Sequence, residues 1–298
     1  MKELFETFSP SGNEECIREL LKKQLGGMFA KIETDNFGNL IATSGRGGLC
    51  IECGMDTTGI MVVSKTDTQV YFASVGGTKP ADLADRTIVF GNSKTGVVKY
   101  DEKLDLKTAK ITDLYVEMDT ADINIGDFGA VETEFCWDEC GFSGYGIKNR
   151  IGLGAVCIAI KAVDNIENIT VLFSAQKRLG ARGIRAFLSA HDFDKVITVD
   201  ACGNDGCSVV AKDSRAVASV GIRTELEKIV AENNLDAETA VCDDDFYIEQ
   251  ILISDNLCGA VGISVLCENN EPQRVNKTDF DTAVKLLAAV LKDNLIRG

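Results

Sequence analysis

The chain has 298 residues, with 46 acidic against 31 basic side chains, a net charge of −15 and only 3 prolines. That length allows one large or two smaller units, and the acidic balance disfavours nucleic acid and anionic membranes, whose phosphates attract basic surfaces. No apolar run approaches the roughly 20 residues that span a bilayer, the start MKELFETFSP has no apolar signal core, and 11 cysteines without a leader predict reduced thiols in a cytoplasm.

Ser11-Gly12-Asn13-Glu14 has capping-box spacing, and apolar Ile17, Leu20, Leu21 and Leu25 behind it predict a helix. KIETD, a turn at Asn36-Phe37-Gly38-Asn39, LIATS and LCIECGMD follow as short strands. From about residue 60 to about 145 the runs IMVVS, QVYFASV, RTIVFG, TGVVKY, DLYVEM and GAVETEF are separated by turn residues, with no amphipathic helix between them. This pattern predicts an all-β unit of about 85 residues, a barrel or a sandwich.

Beyond residue 146 helix and strand alternate. The predicted order is a helix over 151–163, strand NITVLFSAQ, a helix over 181–191, strand KVITVD and a strand pair at SVVAK and AVASV. Helix RTELEKIVAENN, the apolar segment FYIEQILI, strand AVGISVL and a helix near 279–295 complete the chain. Apolar strands alternating with helices predict an α/β sheet covered on both faces. The predicted organisation is an α/β domain, residues 1–60 and 146–298, interrupted by a β domain, residues 61–145.

The single histidine, His191, falls at the end of a predicted helix, where a cation is favourable. One histidine excludes any site that needs two, and no G-x-S-x-G elbow is present. Cys50 and Cys53 are spaced C-x-x-C, but on a strand residues i and i+3 point to opposite faces. Most other cysteines, Cys157 and Cys258 among them, read as small core residues. The run Asp243-Asp244-Asp245 reads as a solvated acidic turn. The segment SAQKRLGARG, 174–183, is the anomaly: Lys177 and Arg178 stand where a buried strand ends, the place where α/β proteins build sites.

Six segments, taken in order, resemble the glutamyl aminopeptidase and endoglucanase M family of dinuclear-metal peptidases that assemble as tetrahedral dodecamers. SPSGNEE is similar to that family's G-P-S-G-x-E, and DNFGNLIA to D-x-x-G-N-L-I-A. CGMDTTGIMV resembles A-H-M-D-E-V-G-F-M-V, and GIKNRIG resembles A-L-D-N-R-I-G. SAQKRLGARG resembles T-x-Q-E-E-V-G-x-R-G, and KVITVD resembles the strand that ends in an acidic ligand. The resemblance implies a mixed-sheet, zinc-aminopeptidase-like (phosphorylase/hydrolase-like) α/β domain with an inserted small β barrel that serves oligomerisation.

The resemblance also implies where the site stands and what has replaced it. The histidine of H-M-D is Gly54, the bridging aspartate of D-N-R is Lys148, the general base of E-E is Lys177 and the second glutamate, a ligand, is Arg178. Counting back from the last helix puts Asn269 where the family has its late histidine. Asp200 survives as a ligand type, and Asp56, the aspartate beside the first histidine, also survives. A metal pair needs donors with lone pairs, which ammonium and guanidinium lack. Two like unit charges about 4 Å apart cost about 4 kcal/mol at an effective dielectric of 20. With Lys148, Lys177 and Arg178 facing Asp56 and Asp200, the local sum would be about +1 and would suit a small anion or a peptide carboxylate.

The expected function is therefore a non-catalytic binding or scaffold homologue with no cofactor, forming a homo-oligomer or co-assembling with an active paralogue. The alternative is an aminopeptidase or other hydrolase with a rearranged site, using zinc or cobalt or a relocated thiolate near Cys53, Cys202 or Cys267.

Overall fold

A computed structural model describes residues 1–164, 166–265 and 272–292. Three strands come first: β1 (Lys31–Thr34), β2 (Leu40–Ser44) and β3 (Leu49–Gly54). Six more follow: β4 (Gly59–Lys65), β5 (Gln69–Val75), β6 (Thr87–Phe90), β7 (Thr95–Lys99), β8 (Tyr115–Glu117) and β9 (Phe128–Val131). They close a barrel in the order β4-β5-β8-β7-β6-β9, and each overlaps one of the six runs read from the sequence. Ile60, Val62, Val70, Phe72, Ile88, Phe90, Val98 and Val116 alternate along these strands and fill the interior, as the twofold period of a strand requires.

The remaining strands are β10 (Cys136–Trp137), β11 (Gly141–Gly144), β12 (Ile169–Ser174), β13 (Lys195–Cys202), β14 (Cys207–Lys212), β15 (Ala237–Val241), β16 (Leu257–Ser264) and β17 (Gln273–Asn276). The main sheet has eight strands in the order β1-β2-β12-β3-β13-β16-β14-β15. Its centre, β12, β3, β13 and β16, is parallel. Those strands are almost wholly buried, which explains why they read as continuous apolar runs. A small sheet, β10-β11-β17, ties the chain just after the barrel to the chain just before the last helix.

One face of the main sheet is covered by helices Glu15–Leu25, Ile151–Lys161, Val220–Glu232 and Lys277–Lys292. Arg182–Leu188 and Ile248–Leu252 cover the other. Helix Ile151–Lys161 lies directly on the sheet: a side-chain carbon on Gly152 would stand 2.4 Å from the Val199 carbonyl. Cys50 and Cys53 contribute to cores on opposite faces of the sheet, as strand geometry requires.

Several local expectations change. AVASV is not a strand: it makes one isolated bridge, Lys212 to Val217, before a helix begins at Val220. FYIEQILI holds the short helix Ile248–Leu252, and β15 arises from AETAV, a polar stretch on the sheet edge. Ser11 and Glu14 form no helix cap; both side chains are used in the site described next. Among the described residues, no helix is long and apolar enough to cross a membrane.

Candidate functional site

The carboxyl ends of β3, β12 and β13 meet at one edge of the sheet. The parallel register places Glu52 beside Thr198, and Ser174 beside Gly54. A 3₁₀ turn, Lys177–Leu179, then folds back over these ends. Gln176, just before it, is left-handed with φ of 52°, and this bend points two successive N–H groups at one carboxylate. The Lys177 N–H donates to Asp56 Oδ1 at 3.0 Å and the Arg178 N–H to Oδ2 at 2.9 Å. Ser11 Oγ donates to the same Oδ2 at 2.5 Å. Glu14 Oε1 accepts from the Gln176 and Gly12 amides, and burial raises its pKa. Asp56, Ser11 and Glu14 thus hold the turn by its backbone.

Lys177 points inward. Its side chain is 1% exposed, and its ammonium lies 2.8 Å from Glu52 Oε2, 3.0 Å from Thr198 Oγ1 and 3.4 Å from Asp200 Oδ2. Glu52 is itself held by Ser174 Oγ at 2.5 Å and Thr198 Oγ1 at 2.7 Å. Arg178 Nη2 donates to Asp200 Oδ1 at 2.9 Å. Burial alone would lower the Lys177 pKa, but the Glu52 and Asp200 charges outweigh it and hold the ammonium above its ordinary value. Burial opposes the Asp200 charge in the same way, and Arg178 and Lys177 together hold its carboxyl below its ordinary value.

Lys148 departs from expectation. It does not pair with Asp56 or Asp200; its ammonium lies 2.6 Å from Asp244 Oδ1, partly in solvent. Asp244 also accepts the Gly203 N–H at 2.6 Å, and Asp245 pairs with Arg215 at 3.0 Å. The acidic run is therefore not a freely solvated turn: two of its three carboxylates are engaged. Each of the three cations has its own carboxylate, Lys177 with Glu52, Arg178 with Asp200 and Lys148 with Asp244. With Asp56 included, three positive charges stand among four negative ones, so the expected surplus of about +1 is not found. The neighbouring Arg150 is fully buried and donates to the Met55 and Thr7 carbonyls and to Ser9 Oγ; burial pulls its pKa down to about 10.

Of the residues singled out in the sequence, Gly54, Asp56, Lys177, Arg178 and Asp200 come together, and Lys148 stands at the rim. Asn269 and Cys267 lie outside the described residues. His191 is remote from the site: Nδ1 lies 2.9 Å from the Phe187 carbonyl and the ring stacks on Phe187. Glu52 was missed, although a lone acid inside the apolar run LCIECG must find a partner when buried. A cavity of about 400 Å³ lies between the barrel and the α/β layers, lined by Thr58, Tyr145, Asn149 and Gln273 among others. Lys177, Arg178 and Asp200 do not line it.

The model of the M42 glutamyl aminopeptidase family matches residues 38–246, more than half of the chain. The chain belongs to the M42 glutamyl aminopeptidase family. An Acetivibrio thermocellus protein named "Putative aminopeptidase" is 26% identical over 94% of each chain. An aminopeptidase from the archaeon Desulfurococcus kamchatkensis superposes with a TM-score of 0.90 at 16% identity, over 100% of this chain and 96% of that one. The Pyrococcus horikoshii TET1 peptidase, described as assembling into a tetrahedron or a large octahedral shell, superposes with a TM-score of 0.84 at 20% identity over 97% of each chain. At these identities the structural likenesses establish the fold, and the M42 sequence match establishes the family.

Proposed function

We propose that this chain is an M42 family member without a dinuclear metal centre or general base, acting as a non-catalytic binding or scaffold protein. The observation that carries this reading is the buried Lys177 ammonium between Glu52 and Asp200. It is a protein cation placed among the carboxylates that would otherwise be free to take a metal. The side chains present do not fit a metal pair. Lys148, Lys177 and Arg178 offer no lone pair, and both Asp200 oxygens face cations. A base at position 177 would have to be an acceptor, and a protonated ammonium cannot take a proton.

The barrel formed by β4 to β9 is proposed as the oligomerisation element. The assemblies described for the TET1 peptidase support a homo-oligomer of this chain; co-assembly with an active paralogue would use the same element.

The test is metal content by mass spectrometry after dialysis against zinc or cobalt, with a chelated control and an aminopeptidase assay on both samples. Well under one metal per chain and no metal-dependent hydrolysis are expected. One or two metals per chain retained through gel filtration, with peptide release, would overturn the proposal.

A further inference from the structure

Cys202 and Cys242 bring their sulfurs to 2.7 Å. That is well inside the usual non-bonded spacing of about 3.5–4.0 Å between carbons and about 0.7 Å beyond a disulfide bond. The two residues do not belong to paired strands. Cys202 ends β13, Cys242 follows β15, and β16 and β14 lie between them in the sheet. The sulfurs meet because the two chains leave the sheet at the same edge and are clamped there. The Gly203 N–H donates to Asp244 Oδ2 at 2.6 Å, and Asn204 Nδ2 donates to the Val241 carbonyl at 3.3 Å. The Cys242 N–H donates to the Lys212 carbonyl at 2.9 Å. These contacts fix both backbones independently of the sulfurs, so the pair is already held for bond formation.

We propose that Cys202 and Cys242 form a peroxide-sensitive dithiol that closes to a disulfide beside the Lys148–Asp244 pair. One thiol is oxidised by a peroxide to a sulfenic acid, and hydrogen peroxide leaves as one water. The second thiol attacks that sulfur, the S–S bond forms and the S–O bond breaks, and a second water leaves. Two thiols and one peroxide thus give one disulfide and two waters. Both thiols are buried, but Gly203, Val241 and Asp243 beside them are exposed, so an oxidant near the size of water suits the site. The disulfide closes a segment of 40 residues and pins the 242–245 turn to β13. This inference does not depend on the reading that the metal centre is absent.

The experiment treats the reduced full chain with hydrogen peroxide, alkylates the remaining thiols and maps linked peptides without reduction. The expected result is a peptide containing Cys202 joined to one containing Cys242, an intact mass lower by about 2 Da and reversal by a dithiol reductant. The oxidised chain should melt about 5 °C higher. Cys202→Ser and Cys242→Ser should each abolish the linked peptide. The linkage map of the unmodified chain decides even if one variant does not fold. The proposal is overturned if excess peroxide leaves these two cysteines unlinked, whether recovered as thiols or as sulfinic acids, or if either is linked elsewhere.

Discussion

A carbon placed on Gly54 would stand 2.8 Å from Cδ of Lys177 and 3.0 Å from its Cβ. The stem of Lys177 occupies the space that a side chain at position 54 would need, so the two positions are sterically coupled. Gly54→Ala should cost about 1–3 kcal/mol through overpacking. In a Lys177→Ala background the same change should cost less, because Cδ is gone. A double-mutant cycle by chemical denaturation should give a coupling of about 1 kcal/mol. Strict additivity would mean that the two side chains do not compete for this space.

Lys177→Met removes the cation and leaves Glu52 and Asp200 buried without it. Breaking a buried pair on one side costs about 3–5 kcal/mol. Lys177→Met with Glu52→Gln should recover much of that loss. The pH dependence has a defined sign. In the unmodified chain the Asp200 pKa is lowered, chiefly by Arg178 and then Lys177 against the effect of burial. Its contribution is present above the unfolded carboxyl value of about 3.9 and is lost as pH falls through the folded value. The Lys177 pKa is raised, so its contribution is complete below about 10.4 and is lost as pH rises through the folded value. In Lys177→Met, Asp200 keeps Arg178 but loses one of the two cations that hold its carboxyl down, so it should bind a proton more readily, and the penalty should be largest near neutral pH and shrink towards pH 4. Urea titrations at three pH values measure this, and a penalty constant with pH would refute the charge argument.

Much of this was legible in the sequence because it depends on periodicity. Six alternating runs in one segment gave the barrel strands, and the all-apolar runs gave the parallel centre of the sheet. The positions of Gly54, Lys177 and Asp200 followed from motifs at strand ends. The partners did not. Glu52 lies in the middle of a strand, and only the register that sets it beside Thr198 brings it under Lys177. Asp244 reaches Lys148 from 96 residues away, a separation that no local pattern encodes. Ser11 and Glu14 have capping spacing, but tertiary acceptors and donors in Asp56 and Gln176 took their side chains from the helix end.

Restoring the family's residue types at four positions, Gly54→His, Lys148→Asp, Lys177→Glu and Arg178→Glu, should create zinc or cobalt affinity. The change removes three cations and leaves Glu52, Asp200 and Asp244 without their cation partners until a metal binds. The variant should therefore be less stable without metal and should gain several degrees in Tm on adding zinc, whereas the unmodified chain should not respond. A folded variant that binds zinc no better than the unmodified chain would show that these positions do not form one metal site.

Asp213 supports the turn that carries Asp244. It is fully buried, and its carboxylate accepts four backbone N–H groups: Oδ1 from Arg215 at 2.9 Å and Ala216 at 2.7 Å, Oδ2 from Phe246 at 3.2 Å and Ile248 at 3.1 Å. Bonds to a charged acceptor contribute about 1.5–3 kcal/mol each, and an amide left buried without a partner costs about 1–3 kcal/mol. Asp213→Ala abandons both pairs and should cost about 3 kcal/mol or more. Asp213→Asn keeps one acceptor oxygen, so it should retain one pair and lose roughly half as much. Hydrogen exchange should separate the two variants: the Phe246 and Ile248 amides should lose protection in Asp213→Ala, while Asp213→Asn keeps protection at one end of the network. Equal protection in all three proteins would mean that the turn is held by its apolar residues alone.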